Sequence, residues 1–441
     1  FRSPLGQAET EQGATERQQQ DWATATRSGW TALVIRHHPF CSGDPYHVDP
    51  YQGVPPIPVA GMPFSVGALT SPAVETVTLE WMISGEMTRL TVKQQGTVGE
   101  NREWRQPRGA GGNLAAAATR TRHRGVVWAV QPPPLRYAAT ARYRFVAFAS
   151  NGRSEATRWH MVTPARWQSG RGQLKLHAAA RICERLVPDS IQWFADRDVT
   201  HKIRFALRLD DDEHVVGFGE RFDHLDQRGN RLDAVVFEQY KDQAATGRTY
   251  LPMPFAHVVG PLAEGWGFHV RTARRVWFDV GARDPHLLWV KEETGGLADP
   301  TVELDLYTGS PAEVLSAFLD EAGRPEIPPD WVYQLWISGN EWNTQQLVMT
   351  QANRHRDERI PFGVVVIEAW SDESTFCFFR DSRYPLHDDG APHTLSDIVF
   401  PADGAWPDPK AMIDELHTRG IKVVLWQIPL QKMRPHPTGQ A

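Results

Sequence analysis

The sequence is poor in cysteine. Its 441 residues include only Cys41, Cys183 and Cys377, which are far apart and outside any CxxC spacing. Disulfide frameworks and cysteine-based zinc sites both need clustered or regularly spaced cysteines, so this pattern excludes both. A single bridge between Cys41 and Cys183 stays open.

Long apolar runs and a strong excess of one charge are also missing. No run of about 18 uninterrupted apolar residues occurs, which argues against a membrane span. The net charge of -6 gives no electrostatic reason to expect nucleic acid or an anionic membrane as a partner. The chain begins with Phe1 and no signal-peptide pattern follows, so compartment and oligomeric state stay open.

Cofactor motifs are missing as well. The histidines form no HExxH arrangement, and no glycine-rich loop has the spacing of a phosphate loop. The acidic runs 210–213 and 388–389 lack the spacing of a calcium loop and are typical of surface turns. We therefore expect neither a metal nor a nucleotide cofactor.

The patterns that are present predict a multidomain β plus α/β protein. Residues 1–29 are polar and predict a flexible leader. Short alternating strands between Gly and Pro breaks predict an Ig-like β-sandwich over 30–164 and a second β-sandwich over 165–327. A proline-rich joint then precedes residues 328–441, which have the pattern of the first part of a (β/α)8 barrel.

The barrel prediction depends on three apolar runs that alternate with two helical segments. The runs are Trp331–Ile337, Pro361–Glu368 and Gly420–Trp426, and the helices are predicted over 344–358 and 407–417. Such a barrel places its chemistry at the carboxyl ends of the strands.

Polar and aromatic residues stand at these ends. Asn340 and Trp342 follow the first strand, Glu368 and Trp370 end the second, and Trp426 closes the third. We expect these five residues to contact a substrate. Glu341 is an alternative contact, a cap for the following helix, or one half of a carboxylate pair with Glu368. The long segment 371–406 leaves the same end of the second strand, and its length also indicates function.

Three motifs resemble glycoside hydrolase family 31. They are Gly217-Phe-Gly-Glu-Arg-Phe222 with Leu225-Asp-Gln-Arg-Gly229, the barrel entry Pro328–Trp336, and the segment Phe400–Trp426. The resemblance covers about 165–429, in the expected order. It implies a mutarotase-like second sandwich and retaining hydrolysis of an α-linked sugar.

The resemblance also implies roles for single residues. Glu368 occupies the position of a family Asp that binds sugar hydroxyls, and Asp242 resembles an acid that a sandwich loop holds over the barrel mouth. Trp426 lies where the family lines its pocket. The nucleophile and the acid/base of the family are Asp residues on later strands, which we expect downstream of Ala441.

The sequence thus predicts part of a retaining α-glycoside hydrolase, α-glucosidase-like, which binds an oligosaccharide or α-glycoside and is inactive by itself. Which sugar and which linkage it prefers stay open. The alternatives are a non-catalytic carbohydrate-binding β-sandwich module and a chain that another polypeptide complements.

Overall fold

A computed structural model describes residues 33–40, 51–98, 125–237, 243–261, 264–371, 378–385, 387 and 391–427. The predicted leader, Asp242 and Cys41 lie outside the described residues; Cys183 carries a free thiol. One compact unit ends at Arg324 and a second begins at Pro325. The finer domain boundaries stay predictions.

The first part of the chain is a nine-stranded antiparallel sheet folded over its own core. Strand order is β1-β3-β6-β5-β4-β7-β8, with β2 beside β3 and β9 beside β7. The strands are β1 Ile35–Arg36, β2 Gly53–Val54, β3 Ser65–Thr70, β4 Val74–Ile83, β5 Glu86–Val98, β6 Gly125–Val130, β7 Ala141–Ala149, β8 Ser154–Ala156 and β9 His160–Val162. The first half of β5 pairs with β4 and its second half with β6, so β5 joins the two layers of this sandwich.

A second sandwich follows, with one sheet of six strands and one of five. The six-stranded sheet, in order, contains β10 Arg166–Gln168, β12 Leu186–Ala195, β13 Thr200–Arg208, β19 Leu287–Leu297, β18 Val276–Val280 and β15 Arg231–Ala234. The five-stranded sheet, in order, contains β11 Gln173–Ala178, β20 Thr301–Thr308, β17 Gly265–Val270, β16 Pro252–Val259 and β14 His214–Gly219. Because side chains alternate along a strand, each sheet turns one apolar face inward, and the two faces form one core.

The Gly-Phe-Gly motif is a tight backbone bulge at the end of β14. Phe218 is fully buried, with its ring centroid 4.8 Å from that of Phe278. Gly219 has φ +89°, and a Cβ there would lie 2.0 Å from the Leu251 carbonyl oxygen. The motif therefore needs glycine at this position both for the backbone angle and for the close approach of β16.

The helical segments of this unit include α1 Gln243–Thr246, a 3₁₀ helix Ala180–Arg185 and α2 Pro311–Ala322. Ser310 caps α2, because its side chain accepts from the Glu313 N–H while Glu313 accepts from the Ser310 N–H. Phe318 of α2 stacks on Phe255 with 4.1 Å between ring centroids, which fixes the helix on the five-stranded sheet.

The second unit contains the predicted parallel strands and helices. Its elements are β21 Trp336–Gly339, α3 Gln345–Asp357, β22 Val364–Ile367, α4 Pro409–Thr418 and β23 Lys422–Leu425, with 3₁₀ helices at Asp330–Tyr333 and Leu395–Asp397. The three strands pair in parallel in the order β21-β22-β23. The core beneath them includes Val348, Ile367, Trp406 and Leu416.

The predicted start of the first barrel strand is wrong. The run from Trp331 begins with the 3₁₀ helix, and pairing starts only where Trp336 faces Val364. Pro361 and Gly363 precede β22, so no neighbouring strand is available earlier, and an apolar run without a partner does not form a ladder. The predicted fold class, two β-sandwiches followed by the first strands of a (β/α)8 barrel, is confirmed.

Candidate functional site

The residues after the three parallel strands lie at one edge of the sheet. Gly339 faces Ile367, and Ile367 faces Leu425. Asn340, Glu368 and Trp426 are the next residues of the three strands, and the Trp426 N–H donates to the Ile367 carbonyl at 3.0 Å. The structure therefore brings these three predicted residues into one row, which we call the strand-end row.

A serine joins two members of the row. Ser338 Oγ lies 3.0 Å from Glu368 Oε1 and also contacts the side-chain amide of Asn340. Asn340 Oδ1 and Glu368 Oε1 are both acceptors and a hydroxyl has one proton, so Ser338 donates to one of them at a time. When Ser338 donates to Glu368, the hydrogen bond fixes Oε1 and leaves Oε2 to accept from a ligand.

Glu368 has no cation beside it among the described residues. Within the described part of the chain no Lys, Arg or His nitrogen lies within 4.0 Å of its carboxylate, and the residue is half-buried. A strand-end carboxylate that is not neutralised by a neighbour is available to accept hydrogen bonds from hydroxyl groups. Among the described residues Glu368 is therefore not half of an ion pair.

The two tryptophans of the row differ in accessibility. Trp370 is 3% exposed, and its indole N–H donates to the Trp426 carbonyl at 2.7 Å. Trp426 is 36% exposed. The buried Trp370 therefore supports the backbone of Trp426, whereas the ring of Trp426 keeps surface for a ligand. Direct contact between Trp370 and a sugar stays a prediction, which its burial disfavours.

Trp342 and Glu341 follow β21 in different environments. Trp342 is half-buried against the core of this unit, and its ring lies so close to Gly339 that a Cβ there would be 2.9 Å from Trp342 Cε3. Glu341 is exposed, and its carboxylate has no hydrogen-bond or ion-pair partner among the described residues. The helix cap considered for Glu341 is made by Thr344 instead, whose hydroxyl accepts from the Leu347 N–H at 3.1 Å.

The long segment after β22 is packed where the structure describes it. Arg380 Nη2 donates to the Asn343 carbonyl at 2.6 Å, which ties this segment to the loop after β21. Phe379 packs its ring against Trp370 and Trp406, with centroids 5.1 and 5.4 Å apart. These contacts join the segment to the loop after β21 and to the core of this unit.

Asp242 lies outside the described residues, but the next residue is well defined. Gln243 is 4% exposed, and its side chain accepts from the Phe222 N–H at 2.8 Å and donates to Thr249 Oγ1 at 3.2 Å. Phe222 ends the Gly217–Phe222 motif, so the motif and the start of α1 are hydrogen-bonded to each other. The role of Asp242 stays a prediction.

Ser338 and Arg380 are the residues that sequence reasoning missed. Ser338 lies inside β21, two positions before Asn340. Arg380 lies in a loop that has no hydrophobic periodicity and no motif. Only the alternation of side chains along β21 gave a signal, since it places Ser338 and Asn340 on the same face.

No three His, Cys, Asp or Glu side chains among the described residues are grouped so as to hold a metal ion. Among their helices, none has the length and apolar character needed to cross a bilayer.

A β-sandwich that leads into parallel strands with polar carboxyl ends places the protein in the class of sandwich-plus-barrel proteins. The description "Glycosyl hydrolase 31 N-terminal galactose mutarotase-like domain" matches residues 111–279, and "Glycosyl hydrolases family 31 TIM-barrel domain" matches 325–439. Together they match more than half of the chain. The protein belongs to glycoside hydrolase family 31. A third description, "1,3-alpha-isomaltosidase-like, N-terminal domain", matches 41–147.

Two relatives of known name are similar to this chain. The 1,3-alpha-isomaltosidase of Kribbella flavida is 47% identical over 408 residues, which cover 92% of this chain and 53% of that protein. The isomaltosyltransferase of Sporosarcina globispora is 37% identical over 229 residues, 52% of this chain and 20% of that protein.

A solved structure, the cycloalternan-degrading enzyme of Trueperella pyogenes in complex with a covalent intermediate, is 42% identical with a TM-score of 0.80. The match covers 92% of this chain and 55% of that one. The same enzyme has also been solved with isomaltose, with 43% identity and a TM-score of 0.78 over 91% of this chain and 52% of that one. The chain thus spans about half the length of the Kribbella and Trueperella relatives.

Proposed function

We propose that this sequence is part of a retaining α-glycoside hydrolase that acts on α-glucosides containing an isomaltosyl unit. The strand-end row carries the proposal, because it presents an unneutralised carboxylate, an amide and an exposed indole at the carboxyl edge of a family 31 barrel sheet. The names of the Kribbella and Trueperella relatives support the substrate class.

The row suits recognition of a sugar. Glu368 Oε2 accepts a hydrogen bond from a sugar hydroxyl, while Ser338 holds the other carboxylate oxygen in place. The Asn340 side chain adds polar groups beside it, and the Trp426 ring offers its face to the apolar side of a pyranose. A neutral polyhydroxyl ligand therefore suits the row better than an apolar or an anionic one.

Retaining chemistry needs two further carboxylates. One attacks the anomeric carbon and forms a glycosyl–enzyme ester as the glycosidic C–O bond breaks, and the other protonates the leaving oxygen; the two stand about 5–5.5 Å apart. Family resemblance assigns both to later strands, outside the present sequence. On this proposal the residues described above bind and orient the sugar, and the bond-breaking groups come from the rest of the barrel.

The test uses a chimera in which the remaining barrel of the Kribbella relative is fused to the carboxyl end of this chain. We expect the 441-residue chain alone to release no sugar from an aryl α-glucoside, and the chimera to release isomaltose from cycloalternan. A folded chimera that releases nothing contradicts the substrate class, and turnover by the chain alone contradicts the location of the catalytic carboxylates.

The non-catalytic alternative has its own test in the same samples. If the chain binds isomaltose equally well after removal of everything beyond Pro328, the strand-end row is not the binding site and the protein is a sandwich module that binds sugars.

A further inference from the structure

The outer face of the six-stranded sheet carries a grid of aromatic and cationic side chains. Cross-strand pairing aligns one row of outward side chains across five strands. A further row of outward side chains lies on each side of it. The central row is Gln192, Arg204, Lys291, Trp277 and Asp233. The opposite face of the same strands supplies the core of the sandwich. We call the outward grid the tryptophan–lysine face.

Cations crowd around the indoles of this face. Lys202 Nζ and Lys291 Nζ lie 4.6 and 4.5 Å from the ring centroid of Trp277, and Arg275 Cζ lies 4.9 Å from it. Arg204 Cζ lies 4.3 Å from the ring centroid of Trp167. Indole rings attract cations, so these contacts hold the charges close to one another.

Two carboxylates of the face already form ion pairs with arginines. Asp233 pairs with Arg248 at 2.8 Å and with Arg275 at 2.5 Å. Asp279 pairs with Arg231 at 3.1 Å. The acid across the strand from Lys202 is Glu293, whose charge raises the pKa of Lys202 but which makes no ion pair with it within 4.0 Å.

Three cations of the face therefore lack a carboxylate partner among the described residues. Arg204 donates to the neutral Gln192 amide at 2.9 Å, and the ammonium groups of Lys202 and Lys291 have no hydrogen-bond or ion-pair partner there. All three side chains are half-buried. Burial lowers the pKa of both lysines, and the charge of Lys202 lowers the pKa of Lys291 further. An anion bound between them would relieve this repulsion.

We propose that the tryptophan–lysine face binds an acidic saccharide, with Lys202, Lys291 and Arg204 on its carboxylates. Ammonium and guanidinium groups pair with carboxylates. Displacing the lysines from Trp277 frees an indole for the apolar side of a pyranose, and Trp289 and the Gln192 amide lie beside Arg204. A site for small inorganic anions needs no aromatic surface, and a neutral saccharide does not need three cations. This site is built from other strands than the strand-end row and does not depend on hydrolysis.

Titration calorimetry of the 441-residue chain with tetragalacturonate at low salt tests the proposal. We expect binding that weakens about tenfold or more in Lys202→Gln/Lys291→Gln and is restored in Lys202→Arg/Lys291→Arg. Lys175→Gln, which removes one positive charge from the five-stranded sheet, leaves binding unchanged. Neutral maltotetraose does not compete.

Three results overturn the proposal. They are absence of tetragalacturonate binding, equal weakening in Lys175→Gln and in the double variant, and equally tight binding of tetraglutamate. The last result assigns the face to acidic peptides instead. Thermal unfolding of each variant shows that the compared proteins are folded.

Discussion

The Ser338 hydroxyl lies 3.0 Å from Glu368 Oε1 and thereby links the first two parallel strands at their carboxyl ends. Neighbouring parallel strands leave their last side chains side by side, so a short hydroxyl on one strand can orient a carboxylate on the next. The contact makes Ser338 a positioning residue for the proposed sugar contact.

Substitutions in this pair separate contact from positioning. In the active chimera we expect Glu368→Gln to lower kcat/KM for an isomaltosyl substrate by about tenfold to a hundredfold, because a charge-assisted hydrogen bond to a sugar hydroxyl is lost. Ser338→Ala keeps the carboxylate and should cost about threefold to tenfold. Steady-state kinetics measure both. Glu358→Gln, at an exposed carboxylate that follows the last residue of α3, serves as the control and should change little; an equal loss there contradicts a specific role for Glu368.

The Gly-Phe-Gly bulge gives a stability prediction. Gly219→Ala should lower the free energy of unfolding of the second sandwich by about 3 kcal/mol or more, since the new Cβ meets the Leu251 carbonyl oxygen and φ is positive. Gly229→Ala has a similar φ, +86°, but no heavy atom within 4 Å of the new Cβ, and should cost about 1 kcal/mol. Chemical denaturation compares the two. Equal losses would mean that backbone angle, and not close approach, explains the motif.

The buried carboxyl of Glu292 should make the second sandwich less stable as the pH rises. Its side chain is 2% exposed, Oε2 has no partner within the described residues, and burial raises its pKa from 4.5 to about 7. The unfolded chain loses this proton near pH 4.5 and the folded chain only near pH 7, so stability falls across that window. Glu292→Gln should therefore stabilise the domain by on the order of 2 kcal/mol at pH 8 and by little at pH 4. Thermal unfolding at both pH values checks this, and a gain that is equal at both contradicts it.

The stability of the first sandwich should instead fall as the pH falls. His37 donates from Nδ1 to the Gly67 carbonyl at 2.6 Å and accepts at Nε2 from the Tyr143 hydroxyl at 2.8 Å, an arrangement of the neutral ring. Burial lowers the pKa of His37 to about 4 and that of His160, 4.9 Å away between ring centroids, to about 3. Because the unfolded chain takes up protons near pH 6.5 and the folded chain does not, stability is present above pH 6.5 and falls as the pH drops toward 4.

His160→Phe removes one of these groups without removing the hydrogen bonds of His37. We expect the loss of stability between pH 6.5 and pH 4 to become smaller in this variant, as measured by acid unfolding followed by near-ultraviolet circular dichroism. The exposed His417 provides the control, and His417→Gln should leave the acid transition in place. An unchanged transition in His160→Phe contradicts the assignment.

Sequence reasoning predicted those parts of the molecule that depend on local pattern. The helix from Gln345, predicted over 344–358, and the helix from Pro409, predicted over 407–417, follow from hydrophobic periodicity. The same reasoning misplaced the start of β21, because an apolar run gives no information on where its pairing partner begins.

By itself the sequence determined the fold class, the family and the strand ends at which to look, because alternation, spacing and motif order are properties of the chain alone. Tertiary structure decided which of the strand-end residues are accessible. Parallel register placed Asn340, Glu368 and Trp426 in one row, and core packing buried Trp370 while leaving Trp426 exposed. It also assembled the tryptophan–lysine face from strands between positions 166 and 297, which no local pattern connects, because neighbours across a sheet are set by strand order and register.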